Sequence, residues 1–248
     1  MDLNADLGET VDGVPTADDT AMFAVVSSAS IACGGHAGDD RSMRDAVAGA
    51  AAAGVAVGAH PSYLDRPGFG RVAMSVAPRE LRRQIGHQLA ALDAAGADIR
   101  YVKPHGALYH AASSDPETAR AVAEAVADLS AVTGRAVPVL GLGGAIVDAA
   151  AAVGLPFRQE AFLDRGYRAD GTLVPRGAPG ALLADPSEVA DRALRLAVDA
   201  RVVAVTGETI PSEAVSLCLH GDSPGAVAMA RAVRSALDAA GVAVRAPW

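Results

Sequence analysis

The feature that most limits the fold is an alternation kept from end to end. Short apolar runs, most of them closing on or leading straight into Gly, His or Asp, are separated by alanine-rich stretches with helical period. The runs are Met1–Asp6, Ser28–Cys33, Val55–Ala59, Arg100–Lys103, Val137–Gly141, Phe157–Phe162 and Ser216–Leu219. Their length and bounding residues predict strands. The stretches between them carry helix punctuation. Pro78 opens one that puts Leu81, Ile85, Leu89 and Leu92 on one face, and Gly96 closes it. Asp115-Pro116 and Asp185-Pro186 read as an N-cap followed by a first-turn proline, the latter with Glu188 in the capping-box position. Alternating strands and helices predict a parallel sheet with right-handed crossovers. Seven such units over 1–248 fit one closed or nearly closed barrel domain, with a doubly wound open sheet as the competing architecture. Residues 164–176 and 202–212 break the alternation and read as inserted hairpins.

Composition narrows the partner. With 51% apolar and 20% charged residues the chain can bury a core. Its net charge of −8 argues against nucleic acid or an anionic membrane as ligand and favours a small solute. The longest early uncharged run, Ala46–Ala59, falls short of the ~20 residues of a membrane span. The N-terminus has no basic-then-apolar leader. Cys33 and Cys218 are far apart, without zinc-type spacing, and read as reduced core residues of a cytoplasmic protein.

Residues able to do chemistry follow the apolar runs. Asn4, Asp6 and Glu9 accompany the first, His36 and Asp39 the second, His60 the third, Lys103 and His105 the fourth, His220 and Asp222 the last. In a parallel barrel or sheet these positions share the rim at the strands' C-terminal ends. Asn4/Asp6, Lys103/His105 and His220/Asp222 are spaced i, i+2, so on a strand both members point the same way. Lys103 is the chain's one lysine among 21 basic residues; burial is expected to lower its pKa and suit it to act as a point charge or proton donor. Arg71, Arg165 and Arg176, in loops, are candidate clamps for a carboxylate or phosphate. Asp6, His36 and His60 form a candidate divalent-metal set. His87 and His110 read as solvated, Gly141–Ala145 as at most a weak phosphate loop, and the helix starting near Ser223-Pro224-Gly225 as a candidate anion site.

Six ordered segments are specific: DLNADLGE (2–9), SASIACGGHAGD (28–39), GVAVGAHPSYLDRPGFGR (54–71), VKPHGALYH (102–110), DRGYRADGTLVPR (164–176) and LHGDSPGAV (219–227). Together they resemble the LamB/YcsF family, to which the A component of 5-oxoprolinase belongs. The resemblance implies a TIM-like (β/α)7 barrel of the glycoside hydrolase/deacetylase type. It also implies ATP-dependent opening of 5-oxo-L-proline to L-glutamate, carried out with subunits B and C. Under that reading Asp6, Glu9, His36, His60, Lys103 and His105 are catalytic candidates. Asn4, Arg71, Arg165, Arg176, His220 and Asp222 are substrate-binding candidates. No nucleotide motif locates the ATP site. The chain departs from the family pattern at Ala5, Ser30, Gly35 and Val72, where Cys, Asn, an aromatic and a second Arg are usual. A metal-dependent amidase or deacetylase, and a non-catalytic substrate-binding subunit, are the alternatives.

Overall fold

A computed structural model describes residues 1–248. Seven strands, β1 (Asp2–Leu7), β2 (Ser28–Ala32), β3 (Ala56–His60), β4 (Ile99–Val102), β5 (Val139–Gly141), β6 (Phe157–Phe162) and β7 (Ser216–His220), form a closed TIM-like barrel. All neighbours are parallel, and β1 closes the ring between β7 (Asp2↔Ser216, Asp6↔His220) and β2 (Asn4↔Ser28). Closure removes both sheet edges and excludes the open doubly wound sheet. Every predicted strand is present, with no end moved by more than two residues and Phe157–Phe162 unchanged.

The helices are α1 (Asp19–Phe23), α2 (Asp40–Ala53), α3 (Pro78–Ala94), α4 (Gly106–Ser114), α5 (Pro116–Thr133), α6 (Ala145–Ala152), α7 (Pro186–Asp199) and α8 (Ala226–Ala239). The predicted caps form: Asp115 accepts from the Thr118 amide, and Asp185 from the Ser187 and Glu188 amides, although Glu188 does not complete a box. A full box does form at α2, where Asp39 and Ser42 bond reciprocally, so Asp39 serves the helix and not the site. The predicted hairpins are found as the Arg201–Val203/Thr209–Pro211 pair and as the Tyr167↔Leu173 bridge. A third, Thr10–Val11 with Val14–Pro15, turns at Asp12-Gly13, a turn signal the sequence reading passed over.

The period-two alternation of β1 explains the layers. Leu3, Ala5 and Leu7 join a 55-residue hydrophobic core beneath the helices, while Asp2, Asn4 and Asp6 alternate with them toward the axis. Barrels of this kind usually fill that axis with branched apolar side chains. Here it carries Asp2, Asn4, Ser28, Ser30, Tyr101, Glu160 and Ser216, each no more than 1% exposed. No helix is long and apolar enough to cross a membrane.

Candidate functional site

Lys103, immediately after β4, is the centre of the upper axis. Its Nζ donates to Asp6 Oδ1 (2.8 Å), Asn4 Oδ1 (3.2 Å) and Cys218 Sγ (3.0 Å), and lies 3.2 Å from Glu160 Oε2. Burial pulls an ammonium's pKa down, but the Asp6 and Glu160 carboxylates outweigh it. The pKa of Lys103 is therefore well above its ordinary value, and not lowered as the sequence suggested. With three N–H bonds committed, Lys103 is occupied by the protein and acts through Asp6. Burial likewise pushes Asp6 up, yet His60 and Lys103 prevail and hold it well below the usual carboxylate range.

Three imidazoles stand above this layer. His60 Nδ1 donates to the Lys103 carbonyl (2.7 Å), and His105 Nε2 to the Phe69 carbonyl (2.9 Å). Carbonyls only accept, so both tautomers are fixed. The remaining nitrogens, His60 Nε2 and His105 Nδ1, then face each other at 2.9 Å. Two neutral rings would oppose lone pair to lone pair; a positive centre, a proton or a cation, has to lie between them. Asp6 Oδ2, 3.4 Å from His60 Nε2, supplies the counter-charge. Burial, then His36 and His60, hold His105 well below its ordinary pKa.

Glu9 and His36 stand behind His105. Burial and the Asp6 charge push Glu9 up to about 8, so it is a neutral acid that donates to His36 Nε2 at 2.9 Å. His36, held well below 6.5 first by burial, stacks on His105 with centroids 3.6 Å apart and planes 2° from parallel. Its Nδ1 is buried without a partner. The loop after β3 fits here only because of two glycines. At Gly70 (φ +65°) a Cβ would lie 2.8 Å from His105 Cδ2 and His36 Cβ, and at Gly106 (φ +54°) one would lie 2.5 Å from the Gly70 carbonyl oxygen.

A cavity of about 730 Å³ opens over this floor, lined among others by Asp6, His60, Arg71, Lys103, His105, Tyr109, Phe162, Arg165, Arg176 and His220. Eight of the twelve candidate residues thus meet in one place. Four do not line it: Asn4 is sealed beneath Lys103, Glu9 and His36 stand behind His105, and Asp222 ties Arg71 at 2.6 Å. The metal set is also different. His105, not His36, joins Asp6 and His60, while His36 groups with Glu9 and His105. The sequence reading missed Glu160, concealed inside an otherwise strand-like run, and Asp164, which accepts from His220 Nδ1 (2.9 Å), the His220 amide (3.4 Å) and Ser223 (3.2 Å). Asp164 follows β6 as the other rim residues follow their strands, a signal that was there to be read.

The remaining candidates settle into structural places. Cys33 is buried and pushed up to about 12, and Cys218 is a core residue whose Sγ also accepts from Lys103. His87 is exposed; His110, exposed too, stands at the cavity mouth. Gly144 caps α6 where a Cβ would overlap the Ser113 carbonyl, so that loop packs against α4. None of residues 223–226, at the start of α8, lines the cavity. Of the four departures, Ala5 faces the helices, Val72 is exposed and Ser30 bonds Tyr101 at 3.0 Å. The space a side chain at Gly35 would need is filled by Gln88 and Ser62.

Comparison with known proteins places this architecture. The LamB/YcsF family model matches residues 1–247. A Streptomyces griseus subsp. griseus protein, named as the A component of 5-oxoprolinase, is 51% identical, the match covering 99% of each chain. A Cutibacterium acnes protein of the same name is 45% identical over 99% of this chain and 98% of its own. The crystal structure of the lactam utilization protein from Thermus thermophilus superposes with a TM-score of 0.91 at 43% identity, covering 99% of both chains.

Proposed function

The chain belongs to the LamB/YcsF family, and from that premise we propose that it is the A component of a 5-oxoprolinase. It opens the lactam of 5-oxo-L-proline to L-glutamate in a cytoplasmic complex with subunits B and C that consumes ATP. The names of its relatives support the substrate. The observation that carries an enzymatic role is the pair of facing imidazole nitrogens above an ionised, lysine-held Asp6. A scaffold has no use for a buried site whose imidazoles demand one more positive centre.

The groups divide the work by the directions in which they are shifted. Asp6, held ionised, accepts a proton from the attacking water. The His60–His105 pair carries a proton toward the departing ring nitrogen, and protonated Glu9, 3.7 Å from His105 Nδ1, resupplies it. Lys103 positions Asp6. An arginine of the wall meets the substrate carboxylate.

The same pair of nitrogens favours a second reading. A divalent cation in place of the proton would be held by Asp6, His60 and His105 and would supply Lewis-acid activation of water, as in a metal-dependent amidase. The test is glutamate release from 5-oxoproline by this chain alone and with its two partner subunits, with and without ATP, together with metal analysis of the purified chain. Release only with partners and ATP upholds the first reading. Lactam or amide hydrolysis by the metal-loaded chain alone replaces it with the second.

A further inference from the structure

His220 and Asp164 stand across the barrel from the His60–His105 pair. His60 ends β3 and His220 ends β7, and the ring order sets β1 and β2 between them on one side and β4, β5 and β6 on the other. Asp6, aligned with His220 in the β1–β7 register, therefore has an imidazole on either side. Asp164 is fully buried. It accepts from His220 Nδ1 at both oxygens (2.9 and 3.0 Å), from the His220 amide (3.4 Å) and from Ser223 Oγ (3.2 Å). Burial pushes its pKa up, but the His220 ring, the hydrogen bond from that ring and Arg176 outweigh burial and hold Asp164 below the ordinary carboxylate value. An ionised carboxylate only accepts, so Nδ1 carries the ring's hydrogen and Nε2 keeps the lone pair. Phe162, stacked on the ring at 5.3 Å and 15°, fixes its plane a second time.

Four imidazoles follow strand ends, and this one alone offers a free nitrogen to the cavity. The nitrogens of His60 and His105 are committed to carbonyls and to each other, and His36 Nδ1 is sealed. His220 Nε2 has no partner in the protein and is not sealed, and its ring lines the cavity. An imidazole with a buried acid at Nδ1 and an open Nε2 is a base aimed at whatever fills the space before it. The acid fixes the tautomer and stabilises the imidazolium once a proton arrives. A pin between β6 and β7 would need the Asp164 bonds, but not an open Nε2.

We propose that His220 is a second catalytic base of this cavity and Asp164 its positioning residue, with His220 Nε2 taking the last proton of the added water. This rests on the lactam-opening reading above. Asp6 takes the first proton as the water oxygen bonds to the lactam carbon, which leaves a hydroxyl there. The His60–His105 pair gives a proton to the ring nitrogen. The C–N bond breaks with its electron pair going to nitrogen, and carbon re-forms its C=O bond while still carrying the hydroxyl. Nε2 removes the hydroxyl proton, leaving a carboxylate, and passes it to the released amine, which departs as ammonium. The proton on Asp6 replaces the one that the imidazole pair gave up. Both water protons thus end on nitrogen and the water oxygen on carbon.

The test is steady-state glutamate release from 5-oxoproline by the full chain with its partner subunits and ATP, for the wild type, His220→Ala and Asp164→Asn, with and without added imidazole. His220→Ala is expected to lower kcat by about 10²–10⁴-fold with KM changed by less than about threefold, and free imidazole to restore kcat by about tenfold or more. Asp164→Asn should lower kcat by about tenfold or more at unchanged KM, with no gain from imidazole, because its ring is present but no longer held. His220→Asn, which keeps a donor for Asp164, takes the place of the alanine variant if that one fails to fold, and is read by the same split of kcat from KM. A kcat within about threefold of the wild type, a loss carried by KM alone, or a loss in His220→Ala that imidazole does not relieve makes the pair a structural pin and overturns the base. No glutamate from the wild-type complex removes the lactam reading, and the base with it.

Discussion

The barrel axis has two polar, buried ends, and they are finished differently. At the N-terminal end Asp2 accepts from Ser27 (2.5 Å), Ser28 (2.7 Å) and Ser216 (2.5 Å). Trp248 closes that end, donating to Ser28 Oγ at 2.9 Å and stacking on Tyr101 at 4.4 Å. At the C-terminal end two imidazole nitrogens with fixed tautomers face each other, His36 Nδ1 is unpartnered and two arginines lack acids. Burial alone therefore does not mark a site in this protein. Hydroxyls complete the lower network, whereas the upper one is complete only when something else enters.

The largest effect is expected where the upper network is cut at its centre. Lys103→Met leaves Asp6 and Glu160 buried without their cation, and should cost about 3–5 kcal/mol of stability and all turnover. Asp2→Asn, at the other end, should cost about 1–3 kcal/mol and leave turnover near that of the wild type. Denaturant titration with glutamate release measures both. Equal loss of turnover in the two variants would mean that the axis works as one unit.

His105→Gln separates chemistry from stability. It removes the shared proton but leaves the Lys103 ion pairs, so turnover should fall by about 10²–10⁴-fold with a stability loss under about 2 kcal/mol. A variant that loses both in proportion would make His105 a structural residue.

Much of the upper end was legible in the sequence, because its residues sit where strands stop, and stopping points show as apolar runs meeting Gly, His or Asp. The i, i+2 spacing of Asn4 and Asp6 gave their shared direction, but not that Lys103 would cover Asn4. Depth along the axis depends on barrel register, which one strand's sequence does not contain. For the same reason Glu160 passed as an ordinary strand residue, and His36 was grouped with Asp6 although its Nε2 meets Glu9, with Gly70 packed against its Cβ. The pairing of Asp2 with serines from two other segments was invisible, since serine carries no periodic signal.

A smaller, pH-dependent effect distinguishes Glu9. Its pKa is about 8 in the fold against an ordinary 4.5, so the unfolded chain releases this proton first. The stability it contributes is complete below pH about 4.5 and is lost as pH rises toward about 8, with no further loss beyond. His36 and His105, held neutral, act the other way and cost stability as pH falls below 6.5. Glu9→Gln removes only the first contribution. Its stability advantage over the wild type should grow between pH about 5 and about 8 in denaturant titrations. Parallel curves would show Glu9 titrating as an exposed carboxyl does.

The smallest effect belongs to the plug. Trp248→Ala removes one hydrogen bond and one stacked pair from a half-exposed position, and should cost about 1–2 kcal/mol with turnover changed by less than about twofold. Trp248 is also the chain's one tryptophan, so its fluorescence reports on the lower end alone. If the lower network is complete in itself, 5-oxoproline entering the upper cavity should leave that emission where it was. A ligand-dependent shift would mean that Tyr101, whose hydroxyl meets Ser30 below the lysine layer, carries the change downward, and the two ends would then have to be treated as one device.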